Sequence, residues 1–170
     1  TTQAITDSAT TDTLTSVTSY TSSGVLTVTS DALTSLTLDT TGQNATVTAA
    51  AGTRALTVNV DGVTAGTVTD ATATTLTVNG TGANSSLTAI SAAAATSVTF
   101  TGDKTIASAG ETFTAATSIT STNTSGVTLG TAIGTAVTYN GADSAGVDTI
   151  SLGASTVATT TGAGDDVVTI

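Results

Sequence analysis

Residues 55–62 read ALTVNVDG, and residues 75–80 read TLTVNG. Both stretches alternate Leu or Val with Thr or Asn, and both run into a glycine turn signal. Alternation with a period of two places the apolar side chains on one face of a β-strand and the polar side chains on the other. The pair therefore predicts one kind of strand that returns along the chain with nearly the same sequence.

The same rhythm extends outward in both directions. Apolar-Thr-apolar elements begin roughly every ten residues, which matches the spacing of short strands separated by turns. They begin at Leu26, Leu36, Leu56, Leu76 and Val98. The spacing permits an antiparallel β-sandwich, and it also permits stacked coils that contain two or three short strands per turn.

Recurrence of the Leu-Thr-Leu or Leu-Thr-Val element at residues 36, 56 and 76 favours stacking. In a stack of coils, similar residues lie above one another, so a similar sequence returns once per coil. We predict an all-β fold, a parallel β-solenoid with about twenty residues per coil and roughly eight coils. An antiparallel β-sandwich is the alternative. The Ala-rich segment 92–95 is predicted as a tight corner of the coil.

Composition limits the kind of core that the chain can build. Thr accounts for 48 of the 170 residues, and His, Cys, Met, Trp and Pro are absent. Such bias is typical of disordered segments or O-glycosylated stalks. The apolar share of 38%, the charged share of 8% and the lack of Pro argue against both. A thin core is then expected, stabilised by stacking of coils or by a metal ion.

The charge pattern excludes several classes of function. The net charge is −10, which argues against nucleic acids and anionic membrane surfaces as partners. No apolar run is long enough to span a bilayer, and residues 1–8 carry no secretory signal. Without His for acid–base chemistry, and with no convincing nucleophile–base pair, we expect no enzyme. The basic residues Arg54 and Lys104 are predicted to form isolated surface ion pairs.

The acidic residues point instead to a cation. Eleven of the twelve are Asp, and Asp suits both turns and calcium loops. Because Cys and His are absent, zinc, copper and iron sites of the usual kinds are excluded, and a hard cation with oxygen ligands remains. Five of these aspartates are predicted as solvated turn residues: Asp31, Asp39, Asp61, Asp70 and Asp103.

The strongest motif lies near the C-terminal end of the sequence. Residues 146–150 read GVDTI, and residues 164–168 read GDDVV, eighteen positions later. Eighteen residues make two nonapeptides, which is one coil of the calcium-binding parallel β-roll with the repeat G-G-x-G-x-D-x-U-x. Stacked turns would bring two aspartates and several backbone carbonyls around one ion, as Ca²⁺ requires. The predicted calcium ligands are Asp148, Asp166, Asp165, Gly146, Gly164 and Gly162, with Asp143 and Gly141 as further contributors.

These motifs resemble a known family. The segments VTYNGAD at 137–143, DTISLGA at 148–154 and GAGDDVVTI at 162–170 resemble RTX calcium-binding surface-layer (S-layer) proteins of Gram-negative bacteria, of the Caulobacter type. The Thr-rich segments ALTVNVDG and TTLTVNG are similar to the β-solenoid portion of such proteins. The resemblance implies type I secretion, folding outside the cell with calcium, and self-assembly into a lattice on the outer membrane. Parts outside this chain would contact outer-membrane polysaccharide.

Three parts of the chain follow from these patterns. Residues 1–24 are a weakly patterned N-terminal segment or edge coil, residues 25–136 a Thr/Ala-rich β-solenoid, and residues 137–170 RTX-like calcium-binding coils. The expected function is a structural segment of a secreted, cell-surface S-layer protein. The alternative is an adhesion module whose outward Thr pairs, such as Thr75 with Thr77 and Thr99 with Thr101, bind glycan or ice.

Overall fold

The computed structural model describes residues 1–170, and the chain is built from strands and turns without a helix. In chain order the strands are β1 (Thr2–Thr6), β2 (Ser16–Tyr20), β3 (Val25–Thr29), β4 (Ser35–Asp39), β5 (Ala45–Thr48), β6 (Ala55–Asp61), β7 (Thr67–Asp70), β8 (Thr75–Thr81), β9 (Ser85–Leu87), β10 (Ala89–Ser91), β11 (Ser97–Gly102), β12 (Ile106–Ser108), β13 (Glu111–Thr112), β14 (Ser118–Ser121), β15 (Val127–Leu129), β16 (Thr138–Asn140), β17 (Thr149–Ser151), β18 (Thr159–Thr160) and β19 (Val167–Thr169). No helix capable of crossing a membrane is present.

The strands form three parallel sheets that run along one rod. Sheet 1 has six strands in the order β1-β3-β5-β7-β10-β13, and sheet 2 has eight in the order β18-β16-β14-β11-β8-β6-β4-β2. Sheet 3 has five, in the order β19-β17-β15-β12-β9. Neighbours within a sheet come from successive coils, and the pairing is parallel throughout, for example between β6 and β8 and between β8 and β11. The predicted parallel β-solenoid of about eight turns is confirmed, and the sandwich alternative is excluded.

Apolar side chains stack into columns inside the rod. In sheet 2 one inward column holds Leu56, Leu76, Val98, Ile119 and Tyr139 at matched register positions, and all five are buried. The column belongs to one hydrophobic cluster of 31 residues that extends from Val17 to Ile150. The core is therefore thin but continuous. It includes Val17, before residue 25, and Val137 and Ile150, after residue 136, so it crosses both boundaries between the three predicted parts of the chain.

Turns between strands use small residues where the backbone approaches the next coil. Ala92 and Ala95 form the predicted corner, in which the Ala95 N–H donates to the Ala92 carbonyl at 3.1 Å. Gly102 has a φ of +104°, and a Cβ at that position would lie 2.1 Å from the Gly80 carbonyl oxygen. Such a position accepts only glycine, since it combines positive φ with contact between coils.

One interior ion pair corrects the sequence interpretation. The sequence predicts Arg54 at the surface and Asp70 in solvent, but their side chains are only 8% and 1% exposed and form a salt bridge. Arg54 also donates to the Leu33 carbonyl at 3.0 Å, while Asp70 accepts the N–H groups of Thr72 and Ala73 at 2.9 Å. The prediction is wrong because Asp70 lies on the same inward face of β7 as Val68, where the Arg54 side chain neutralises it.

The number of strands per coil changes along the rod. The first coils place strands in sheets 1 and 2, the middle coils in all three sheets, and the last coils in sheets 2 and 3. Sheet 1 ends at β13, and residues 131–137 form turns where a further strand of that sheet would lie. This change of shape leaves the C-terminal coils with a different cross-section, and the candidate site lies there.

Candidate calcium-binding edge of the C-terminal coils

The two Gly-Asp segments lie on adjacent coils. Strands β17 and β19 pair in parallel with Thr149 opposite Val167, so Asp148 and Asp166 immediately precede matched positions. The Asp148 N–H donates to the Asp166 Oδ1 at 2.8 Å. The Val167 N–H in turn donates to the Asp148 carbonyl at 2.8 Å. The eighteen-residue repeat thus brings its aspartates into contact between coils.

The Asp148 carboxylate points into the rod. Its side chain is fully buried, and its Oδ1 accepts the Val127 N–H at 2.9 Å and the Ser144 hydroxyl at 3.2 Å. Its Oδ2 accepts the Tyr139 hydroxyl at 2.8 Å. Burial raises the pKa of Asp148 above its usual value, and the hydrogen bonds from Tyr139, Val127 and Ser144 oppose that rise. A cation that used these oxygens would have to replace hydrogen bonds within the protein.

Tyr139 explains why a carboxylate is tolerated at this depth. It occupies the inward column of sheet 2 that Ile119 fills one coil earlier. Its ring is buried among apolar side chains while its hydroxyl reaches Asp148. Burial raises the pKa of Tyr139, and the hydrogen bond to Asp148 raises it further. The phenol is therefore a permanent donor at neutral pH, and it offsets part of the desolvation of the carboxylate.

Buried polar residues around this pair are not predicted by the sequence. Asn123 is fully buried, and its amide donates to the Thr101 and Lys104 carbonyls at 3.0 and 2.9 Å. The Ser144 hydroxyl lies 2.9 Å from the Asn123 carbonyl oxygen and 3.2 Å from the Asp148 Oδ1, so its single proton is shared between these two acceptors. A signal exists only for Tyr139, which stands at an inward position of the Val137-Thr138-Tyr139 alternation. The corner positions of Asn123 and Ser144 carry no such signal.

The remaining predicted ligands lie along the same edge, and all except the buried Gly141 are at least partly exposed. Asp143 and Asp165 are exposed, and Asp166 is partly exposed with only its Oδ1 used by Asp148. Gly162 and Gly164 have φ values of +93° and +124°. A Cβ on Gly162 would lie 2.1 Å from the Gly141 carbonyl oxygen, and one on Gly146 would lie 2.0 Å from the Gly126 nitrogen. The glycines thus permit close stacking of consecutive turns.

The donor set at this edge consists of carboxylates and backbone carbonyls. No group of three or more acidic side chains comes together in a way that could hold a metal by itself. Asp165 and Asp166 have oxygens available to a cation, and turn carbonyls supply the other possible ligands. Oxygen donors of this kind suit Ca²⁺ and not the softer transition metals. Calcium ligation by Asp148, Asp166 and the other predicted residues stays a prediction.

A second surface is the outward face of sheet 2. One column holds Thr57, Thr77, Thr99 and Thr120 at matched positions of four successive strands. A neighbouring column, two residues away along each strand, holds Thr75, Ser97, Ser118 and Thr138. Strands of a parallel sheet lie about 4.8 Å apart, and residues two apart along a strand about 6.6 Å apart. The face is therefore a regular two-dimensional array of hydroxyl and methyl groups.

Comparisons with known proteins do not place the chain in a family. No protein-family model matches it, and no curated protein matches it. The fold, the stacked aspartates and the hydroxyl face are therefore the features that bear on function.

Proposed function

We propose that this chain is a structural segment of a secreted bacterial surface-layer protein. In this proposal it is a calcium-stabilised β-solenoid that assembles with copies of itself into a lattice on the cell surface. The observation that carries the proposal is the contact between Asp148 and Asp166 on adjacent parallel coils, at the eighteen-residue period of the β-roll motif. Asp165 and Asp166 supply accessible carboxylate oxygens beside this contact, and in this proposal a cation binds them together with carbonyls of the stacked turns.

The charge balance supports calcium as a stabilising ion. The protein carries a net charge of −10, and its two cations are paired with Asp70 and Asp103. Neither cation is therefore left to compensate the aspartates of the last coils. Like charges on neighbouring strands destabilise a sheet, and a divalent ion between turns would remove that repulsion.

Apolar surface beside this edge supports self-assembly. Val147, Val167 and Val168 are 49%, 50% and 41% exposed. Val167 lies on the outward face of the last coils, opposite Thr149, whereas Val168 pairs with Ile150 on the inward face. Exposed apolar groups are often used at interaction surfaces. Contact with a second copy would cover these valines next to the calcium edge, which would make assembly depend on calcium.

The direct test is calcium titration of the full chain by calorimetry, with thermal unfolding before and after chelation. Calcium at about one hundred times its Kd should stabilise the fold by about 2.7 kcal/mol. The double variant Asp165→Asn/Asp166→Asn should lose most of this gain, because the amide oxygen introduced at position 166 still accepts the Asp148 N–H but carries no charge. Asp31→Asn/Asp103→Asn removes the same charge elsewhere and should keep it.

Absence of binding heat together with unchanged unfolding in chelator would refute the calcium part of the proposal. Assembly is tested separately by electron microscopy of the full chain with and without calcium. Ordered sheets or filaments that dissolve on chelation are expected. A chain that binds calcium yet stays monomeric at high concentration would refute the lattice part.

A second candidate function is adhesion through the hydroxyl face of sheet 2. The observation that favours it is the in-register Thr column of Thr57, Thr77, Thr99 and Thr120. A flat, repeating array can match a repeating ligand surface such as a glycan or ice. Adhesion through this face predicts thermal hysteresis or a glycan-array signal. The double variant Thr77→Tyr/Thr99→Tyr should abolish that signal, and Thr46→Tyr in sheet 1 should leave it intact. Signals that neither variant changes would argue against this face.

A further inference from the structure

A cavity opens inside the rod where sheet 1 ends. Its volume is about 210 Å³, and it lies between the coil that contains β13 and the following turn at residues 131–137. Its apolar wall consists mainly of Phe113, Ala116, Ile119, Leu129, Ile133 and Val137. An engineered cavity of about 150 Å³ in another protein is large enough for benzene. The space here therefore suits a molecule with a compact apolar body.

The cavity exists because the coil changes shape at this point. In earlier coils a strand of sheet 1 covers this side of the core, as β10 does with the inward Ile90. Strand β13 is only two residues long, and no strand of sheet 1 follows it. The turn at 131–137 passes over the same place without filling it, so apolar side chains of β14 and β15 face an open space.

Glu111 gives this apolar space one charged group. It lines the cavity and is held by two hydrogen bonds to Thr131. Its Oε2 accepts the Thr131 N–H at 2.8 Å, and its own N–H donates to the Thr131 hydroxyl at 3.1 Å. Its Oε1 is buried and has no hydrogen-bond partner. A buried acceptor without a partner costs free energy unless a donor reaches it.

From this combination we propose that the cavity binds a small organic cation, an ammonium group on a compact apolar body. A change in the Glu111 side-chain rotamer brings Oε1, which is shielded in this structure, to the ammonium group. The apolar body fills the space between Ile119, Leu129 and Ile133. A charged donor is favoured over a neutral one because hydrogen bonds to ionised partners are stronger. This site is independent of the calcium edge and holds whether or not the chain binds calcium.

Nuclear magnetic resonance titration of the full chain tests the site. Benzylamine, benzyl alcohol and benzoate share one ring and differ in charge. Benzylamine should produce saturable shifts at the methyl groups of Ile119, Leu129 and Ile133, with benzyl alcohol about ten- to a hundredfold weaker and benzoate without effect. Equal affinity for benzylamine and benzyl alcohol, or no saturable shift at these residues, would overturn the proposal.

Two variants sharpen the result. Glu111→Gln keeps an acceptor for the Thr131 N–H and should weaken benzylamine binding about tenfold or more, whereas Asp103→Asn removes an exposed charge elsewhere and should leave it unchanged. Ala116→Val narrows the cavity without altering charge and should weaken benzylamine and benzyl alcohol alike. Equal weakening of benzylamine by Glu111→Gln and Asp103→Asn would show non-specific charge attraction and would also overturn the site.

Discussion

At the scale of single residues, eleven of the 47 buried residues are polar or charged, and most of them have hydrogen-bond partners. Asp148 is fully buried with three side-chain hydrogen bonds, and Asn123 is fully buried with four. Each bond links one coil to its own turn or to the adjacent coil. Because the apolar core is thin, these hydrogen bonds specify how the C-terminal coils stack.

Asp148 can be tested with two substitutions of different kinds. Asp148→Ala leaves the Val127 N–H and the Tyr139 hydroxyl without acceptors, and we expect a loss of about 2–4 kcal/mol in the free energy of unfolding. Asp148→Asn can still accept from Val127 and can donate to the Tyr139 oxygen. Because it removes a buried charge, it should cost less than about 1 kcal/mol in chelator.

Urea unfolding of the wild type, both variants and Asp143→Ala measures these differences. Asp143 is exposed and serves as the control, with an effect within about 0.5 kcal/mol. If Asp148→Asn destabilises the protein as much as Asp148→Ala, the charge itself is required, and the interpretation of Asp148 as an internal hydrogen-bond acceptor is wrong.

At the scale of the strand and its turn, two features join one coil to the next. A positive-φ glycine at the end of a strand lets the backbone pass within contact distance of the preceding coil, as Gly102 at the end of β11 does over Gly80 in β8. The Arg54–Asp70 pair, between the residue before β6 and the end of β7, fills a corner with a hydrogen-bonded ion pair. The alternation of β7 places Asp70 on the inward face with Val68. Neither the pairing of Asp70 with Arg54 nor the approach of Gly102 to Gly80 is visible in the strand pattern, because both depend on which residues meet when the chain coils.

The glycine turns give a simple steric prediction. Gly102→Ala should destabilise the fold by at least about 2 kcal/mol, because Ala is strained at positive φ and its Cβ would collide with the Gly80 carbonyl. Gly52→Ala has no neighbour within 4 Å of its Cβ and should be neutral or slightly stabilising. Thermal or urea unfolding of the two variants decides the matter. Equal stability of both would show that the backbone at the end of β11 relaxes freely.

The corner ion pair gives a prediction for urea unfolding of a single and a double variant. Arg54→Met should cost about 3–5 kcal/mol, because it leaves Asp70 charged and buried. Arg54→Met/Asp70→Asn should be more stable than Arg54→Met, since the amide introduced at position 70 is neutral and still accepts from Thr72 and Ala73. Lys104→Met breaks a surface pair and should cost no more than about 1 kcal/mol. A double variant as unstable as Arg54→Met would contradict the assignment of the cost to the unpaired charge.

At the scale of the whole molecule, the solenoid behaves as a one-dimensional stack. Each coil contacts its neighbours, and one core of 31 residues runs through the rod. The seven-residue strands β6 and β8 lie near its middle, whereas β1 and β19 are exposed along their whole length. Stability in such a stack is a sum over coils and their interfaces, so the ends open more easily than the centre.

Amide hydrogen exchange should therefore vary along the rod. The slowest amides are expected in β6, β8 and β11, and the fastest in β1 and β19. Added calcium should slow exchange in β17 and β19 more than in β1. Uniform protection of all strands would indicate one cooperative unit and would contradict the picture of a stack that frays from its ends.

The sequence by itself determined the architecture, because the architecture repeats. The Leu-Thr-Val alternation in β6 and β8 returns at the coil period, so the parallel stack was favoured over a sandwich, and the number of coils and the outward Thr positions were predicted from local pattern. The strands β1 and β2 were not, because residues 1–24 carry only a weak alternation. The contact of Asp148 with Asp166 followed from the same period. Only the tertiary structure decided the contacts between residues that do not recur from coil to coil. Three features depend on the shape of single coils: the inward turn of the Asp148 carboxylate towards Tyr139, the burial of Arg54 with Asp70, and the cavity beside Glu111. A periodic sequence pattern carries no information about a place where the period is broken.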